Sequence, residues 1–181
     1  MMRHQETPAL FALGFDLFDL NAAAPVTNGS SVFAQRRDAV FTGHYSKAWA
    51  VKKPIGLRRH GIQLRPNRLA DFPFVMPRGT YLAHLKYADR TALAAMTEIR
   101  TEVGSVEGKG SPGRAWRQAA QETPVKLTKA ESLPKAPWKE AEAEAWDALQ
   151  TPVRDEVLSV LRCKSLRFAQ RTTLPDWFAT L

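Results

Sequence analysis

The side chains that could do acid–base or metal chemistry are few in this chain, and they are far apart. The four histidines are His4, His44, His60 and His84. No two of them have the i, i+4 spacing with which a helical H-E-x-x-H motif holds zinc, and no acidic cluster beside them completes a ligand set. No G-x-S-x-G pattern marks a serine nucleophile. We therefore expect no enzymatic activity, no metal and no cofactor.

A glycine-rich stretch at residues 108–113, GKGSPG, has the letters of the G-x-G-x-x-G dinucleotide-binding motif. That motif needs a strand before it, a helix after it and an acidic residue about 20 positions later. Here the preceding residues have a helical pattern, and Pro112 lacks the backbone amide that would face a phosphate. We interpret the stretch as a linker.

The strongest chemical signal is a basic segment at residues 51–69, VKKPIGLRRHGIQLRPNRL. Residues 39–70 carry seven cations and no acid, so this window supplies +7 of the net charge of +8. Such a concentration of positive charge is typical of a surface that meets phosphates, anionic lipids or an acidic protein. The predicted anion- or partner-binding residues are Lys52, Lys53, Arg58, Arg59, Arg65 and Arg68.

Three kinds of partner fit the basic segment, and the sequence leaves them open. RNA would use the cations along its backbone, although the aromatic residues flank the window and do not interleave it. Anionic lipid head groups attract clusters of about four to eight Lys and Arg residues. An acidic groove between other proteins would also use the aliphatic pairs Ile55/Leu57 and Ile62/Leu64, which favour an ordered, extended path over a free tail.

The N-terminal stretch FALGFDLFDL places Phe11, Phe15 and Phe18 at steps of four and three. On a short helix these three rings would share one face. Two interpretations are equally supported. The rings are a hydrophobic anchor for a partner's groove, or the helix packs on this chain's own core.

The remainder of the N-terminal half has no sustained helical or strand period. Turn-forming and breaking residues interrupt it from Pro25 onward, and no helix can be assigned before Gly79. Its aromatic residues argue against disorder. We expect residues 1–79 to form an extended, basic segment that wraps a partner, with the short apolar helix at its start.

The C-terminal half has helical patterns. An apolar stripe recurs at steps of three and four over residues 81–103 and predicts an amphipathic helix that ends at Gly104, with His84 on its solvated side. The alternative is two helices that meet at an angle, with the second starting at Asp89. A short helix is expected over residues 111–121, and another after Pro137 over WKEAEAEAWDALQ.

A final helix is expected after Pro152, with acidic residues early and basic residues late, and it would include Cys163. Because Cys163 is the only cysteine, an intrachain disulfide is excluded and a reducing compartment is favoured. No stretch approaches about 20 consecutive apolar residues, so we expect no transmembrane span. The N-terminus lacks the basic region and cleavage site of a secretory signal.

Together these patterns predict a mainly α fold, in which a helical C-terminal half (about 80–170) follows a long extended and irregular N-terminal half. The chain is not expected to be an independent compact fold, and the two expected domains are residues 1–79 and 80–181. We expect a non-catalytic structural or accessory subunit of a large multiprotein assembly, whose partners are other protein subunits. In its narrowest form it is a peripheral subunit of a mitochondrial energy-converting complex, a respiratory complex or ATP synthase. The alternative is a ribosomal or ribosome-associated RNA-binding protein.

Overall fold

The computed structural model describes most of the chain, with gaps, in the residue ranges 9–21, 24–43, 46–51, 63–64, 74–75, 77–105, 113–150, 152–155, 160–163 and 170–181. The strands in these ranges are β1 Ala9–Phe18, β2 Asp38–Phe41, β3 Lys47–Val51, β4 Gln63–Leu64, β5 Phe74–Val75, β6 Tyr81–Tyr87, β7 Pro152–Asp155, β8 Val160–Cys163 and β9 Thr172–Thr173. The helices are α1 Val32–Gln35, α2 Arg90–Ser105, α3 Gly113–Ser132, α4 Trp138–Gln150 and a 3-10 helix at Asp176–Thr180.

The prediction of a mainly α chain with an irregular N-terminal half is wrong. The described residues form a mixed sheet of six strands, a second sheet of three strands and several helices. The N-terminal segment expected as a short helix is β1, the longest strand of the larger sheet. Its side chains are buried on both faces, so they lack the apolar–polar alternation by which a half-exposed strand is recognised.

The larger sheet is organised around β1, which pairs along both of its edges. β2 and β3 follow one another antiparallel to β1 along one edge. β5 and β6 run parallel to β1 along the other edge. β9 completes the sheet by pairing antiparallel with β2. Four separate segments are therefore positioned by a single strand.

The start of the predicted helix over residues 81–103 is wrong, because residues Tyr81–Tyr87 form β6 and α2 begins only at Arg90. The backbone of β6 pairs with β1 in register, with Leu13 opposite Tyr81 and Asp16 opposite His84. The apolar residues of this segment have helical spacing, but its pairing with β1 makes it a strand. The same pairing joins chain segments on either side of the boundary expected between residues 79 and 80.

The predicted final helix after Pro152 is also wrong. The described residues of that segment form β7 and β8, which pair antiparallel, and β4 pairs with the other edge of β8. Cys163 therefore lies at the end of a strand. β-branched Val153 and Val160 favour strands over helices. The helix predicted after Pro137 is confirmed as α4.

One face of the larger sheet packs against α1, α4 and the 3-10 helix. Phe15 lies at the centre of this layer and is fully buried. Its ring meets those of Phe41, Trp138 and Phe178 nearly at right angles, with centroids 6.2, 5.9 and 5.7 Å away. Edge-to-face contacts of this kind add to the free energy of burying the rings.

The opposite face of the sheet packs against α2 and α3. Phe18 stacks on Tyr87 with ring centroids 5.0 Å apart, and both rings are buried with Leu93 of α2 and Ala130 of α3. Because Phe15 and Phe18 are an odd number of residues apart on β1, they point to opposite faces of the sheet. The strand is thus the middle layer between two groups of helices.

We predict that Phe15→Ala lowers the free energy of unfolding by about 3–5 kcal/mol, because it leaves a cavity among the aromatic rings that surround Phe15. Urea denaturation followed by circular dichroism measures this loss. Leu85→Ala is the control, since Leu85 is 47% exposed and its truncation should cost about 0.5 kcal/mol or less. A loss for Phe15→Ala no larger than that of the control would contradict the placement of Phe15 in the core.

Candidate functional site

α2 exposes apolar side chains on one continuous face. Met96, Ile99 and Val103 are 44%, 50% and 36% exposed, and Ala92 and Ala95 are exposed beside them. Their spacing of three and four residues places them on one side of the helix. We call this set the outer face of α2. The apolar stripe predicted from the sequence exists, but this part of it faces solvent and not the core.

The other side of α2 packs on α3, and the two helices run antiparallel. At one end, Arg90 Nη2 lies 2.5 Å from Glu131 Oε1. At the other end the helices approach closely at Gly104, where a Cβ would lie 2.9 Å from Arg117 Cγ and 3.1 Å from the Gly113 carbonyl oxygen. A larger side chain at this position would push the helices apart. Gly104 is therefore a packing residue inside α2, whereas the sequence predicted it to end the helix.

Between these two contacts lies a groove of about 760 Å³ that residues of both helices line. Its floor is apolar and includes Leu93 and Ala94 of α2 with Pro124 and Leu127 of α3. Pro124 lies in the interior of α3. Since proline has no backbone N–H and its ring crowds the preceding turn, it distorts a helix at the point where it occurs. Pro124 lines the groove at this level of α3.

The beginning of α2 is held by Asp89. Its carboxylate accepts hydrogen bonds from the backbone N–H of Ala92 at 2.9 Å and from that of Val26 at 2.7 Å. These two bonds lower the pKa of Asp89 below its usual value of 3.8. The first is an N-cap bond, which satisfies an amide that has no partner within the helix. Asp89 thus fixes where α2 starts and ties it to the loop before α1.

A polar pair lies on the face of the sheet that α2 and α3 cover. The carboxylate of Asp16 is 3% exposed, and its Oδ1 lies 2.5 Å from Nδ1 of His84. Burial raises the pKa of Asp16, and the bond to His84 together with the charges of Lys126 and Lys86 offsets only part of that effect. The pair holds the imidazole in one orientation.

Sequence reasoning missed this pair and expected His84 on the solvated side of a helix. The two residues are 68 positions apart, so no local spacing shows their contact. The only available signal was Asp16 itself, one of two aspartates in an otherwise apolar stretch. A carboxylate in such a place needs a partner when it is buried.

The residues predicted to bind partners fall into two groups. The six basic residues lie outside the described residues; they are Lys52, Lys53, Arg58, Arg59, Arg65 and Arg68. The aromatic group, Phe11, Phe15 and Phe18, is buried in this chain's own core. Its rings lie on two faces of a strand and not on one face of a helix, so they offer no surface to a partner.

Comparisons with known proteins give no relative. No family model matches the chain, and no curated protein or solved structure matches it. Among the described residues, no helix combines the length and apolar character needed to cross a membrane. Within the same ranges, no three His, Cys, Asp or Glu side chains come together as metal ligands would.

We predict that Asp16 titrates above 3.8 in the folded protein, and that His84→Ala raises its pKa further by removing a hydrogen bond and a nearby positive charge. Carbon-13 NMR of the side-chain carboxyl group measures both values. Lys139→Ala on α4 is the control and should leave the Asp16 midpoint unchanged.

The raised pKa of Asp16 also determines how this residue makes the free energy of unfolding depend on pH. The folded state binds the Asp16 proton more tightly than the unfolded state, so the contribution of Asp16 to stability falls as pH rises from about 3.8 through the folded pKa. A midpoint below 3.8, or a lower one in His84→Ala, would contradict the buried placement of the carboxyl.

Proposed function

We propose that this protein is a non-catalytic structural subunit that binds a neighbouring protein through the outer face of α2. The observation that carries the proposal is the contiguous exposure of Met96, Ile99 and Val103 on one helix. The solvent-facing side of a surface helix is normally polar. Here the side of α2 that faces away from α3 is exposed and apolar.

Scattered exposed hydrophobic residues are normal in folded proteins and need no explanation. The outer face of α2 differs because its five side chains are adjacent and follow the helix for three turns. Patches of this kind mark protein–protein contacts more often than free surface. Covering such a face with the apolar surface of a partner is favourable by roughly 25 cal/mol for each Å² removed from water.

The narrower expectation of a mitochondrial energy-converting complex rests on the charge of residues 39–70, and it stays a prediction. The ribosomal alternative rests on the same charges. RNA binding that weakens steeply with salt, and that Arg58→Glu/Arg59→Glu abolishes, would favour the ribosomal alternative over a respiratory or ATP synthase subunit.

We predict that the chain expressed in its native cells elutes within an assembly much larger than its own 20.2 kDa, and that Met96→Glu/Ile99→Glu releases it as a monomer. Charges placed on both positions would have to be desolvated in the interface, which is costly. Size-exclusion chromatography with light scattering gives the mass, and circular dichroism confirms that the variant is folded.

Val125→Glu is the matched control, because Val125 is 67% exposed on α3 and lies outside the outer face of α2. It should leave the assembly intact. Elution of the unaltered chain as a monomer would overturn the proposal. If the assembly contains only copies of this chain, the protein self-associates and is not a subunit of a heteromeric complex.

A further inference from the structure

We propose that the groove between α2 and α3 binds an amphipathic helix of a partner protein, with an apolar stripe flanked by lysine or arginine. The groove lies on the opposite side of α2 from the outer face. This inference goes beyond the proposed function, because it defines a second surface and the chemistry of what fills it. Three features of the groove support it: the length of its α2 wall, its apolar lining, and two carboxylates that form no ion pair with any described residue.

The α2 wall of the groove is long enough for a helix to lie along it, and α3 contributes about one turn, from Thr123 to Leu127. Its lining residues on α2 run from Arg90 to Glu102, which is about 18 Å at the rise of an α-helix. A helix of roughly 12 residues has the same length. Recognition of a helix in a groove depends on apolar anchors at i, i+3, i+4 and i+7, and three turns of the partner provide a full set.

The composition of the floor suits aliphatic side chains. Leu93 and Leu127 lie at the base of the groove, and the smaller Ala94, Thr97 and Thr101 leave room between the helices. The apolar floor is consistent with a site that buries the stripe of an amphipathic helix. The hydroxyl of Thr101 donates a hydrogen bond to the carbonyl oxygen of Thr97 at 2.9 Å, so it is satisfied within α2.

The acidic side chains that line the groove favour a positively charged ligand. Glu98 and Glu102 line it one helical turn apart, and like charges at this spacing destabilise a helix. Neither forms an ion pair within the described part of the chain. A cation from a partner would remove that repulsion.

Among the described residues that line the groove, the single cation, Arg90, already has hydrogen-bond partners outside it. Arg90 donates from Nε to the Asp19 carbonyl oxygen at 2.7 Å and from Nη2 to the Leu20 carbonyl oxygen at 2.9 Å. Its Nη2 also meets Glu131 Oε1 at 2.5 Å. The two carboxylates of α2 therefore give this groove a local negative charge on a chain whose net charge is +8.

The test uses the full-length chain and a fluorescein-labelled synthetic peptide of 14 residues, with leucine at i, i+3, i+4 and i+7 and lysine at the flanking positions. Fluorescence anisotropy should show saturable binding. Glu98→Lys/Glu102→Lys should weaken it about tenfold or more, because two attractive contacts become repulsive. Glu98→Gln/Glu102→Gln removes the two charges without reversing them and should weaken binding less. This second variant tests the proposal if the lysine variant does not fold.

Matched controls separate the groove from general charge and from the outer face of α2. Glu140→Lys/Glu144→Lys makes the same charge change at the same spacing on exposed positions of α4, and Met96→Glu/Ile99→Glu alters only the outer face. Both should bind the peptide as tightly as the unaltered chain. The corresponding leucine–glutamate peptide should not bind.

Three results would overturn the proposal. They are no binding to the unaltered chain, equal weakening by both glutamate-to-lysine pairs, and loss of binding in the outer-face variant. The last would place the peptide on the outer face of α2. Because assembly mass is measured with the outer-face variant and peptide binding with the groove variant, failure of either proposal leaves the other intact.

Discussion

The burial of β1 on both faces and its pairing along both edges is the constraint on which the rest of the described structure depends. No other described strand aligns four segments at once. It separates an aromatic layer around Phe15 from a second layer around Phe18. A strand in this position cannot tolerate an unpaired charge, and Asp16 is accommodated because His84 lies opposite it in register. The position of β6 is thereby specified by a polar contact as well as by backbone hydrogen bonds.

α2 connects this core to both candidate surfaces. It is held at its start by Asp89, along its inner side by Leu93 and at its end by Gly104, so its orientation is set by three separate contacts. These contacts use only a narrow side of the helix. The rest of its circumference stays accessible, with the groove on one flank and the outer face on the other. A helix that is rigidly held and widely exposed is suited to present side chains to partners with little loss of conformational entropy on binding.

The sequence predicted those features that are set locally. α4 was found because Pro137 and the acidic first turn are start signals that act within a few residues. The apolar stripe of α2 was also found, but helical spacing says nothing about whether an apolar face meets this chain or another one. β1 was missed because burial on both faces removes the alternation that identifies a strand. The contact of Asp16 with His84 was missed because it arises from pairing between distant segments, which no single-sequence pattern encodes.

The connectivity of the larger sheet also has a consequence for synthesis of the chain. β1 is translated well before its parallel neighbour, since Asp16 precedes His84 by 68 residues. The last strand is tied to Arg37, whose Nε donates to a carbonyl oxygen 137 residues further on. One edge of β1 can pair with β2 and β3 soon after they are made, but the edge covered by β6 stays open until residues 81–87 have been made. Folding dominated by such distant contacts is slow, and exposed apolar segments are prone to aggregate meanwhile. We expect the nascent chain to depend on chaperones during this interval.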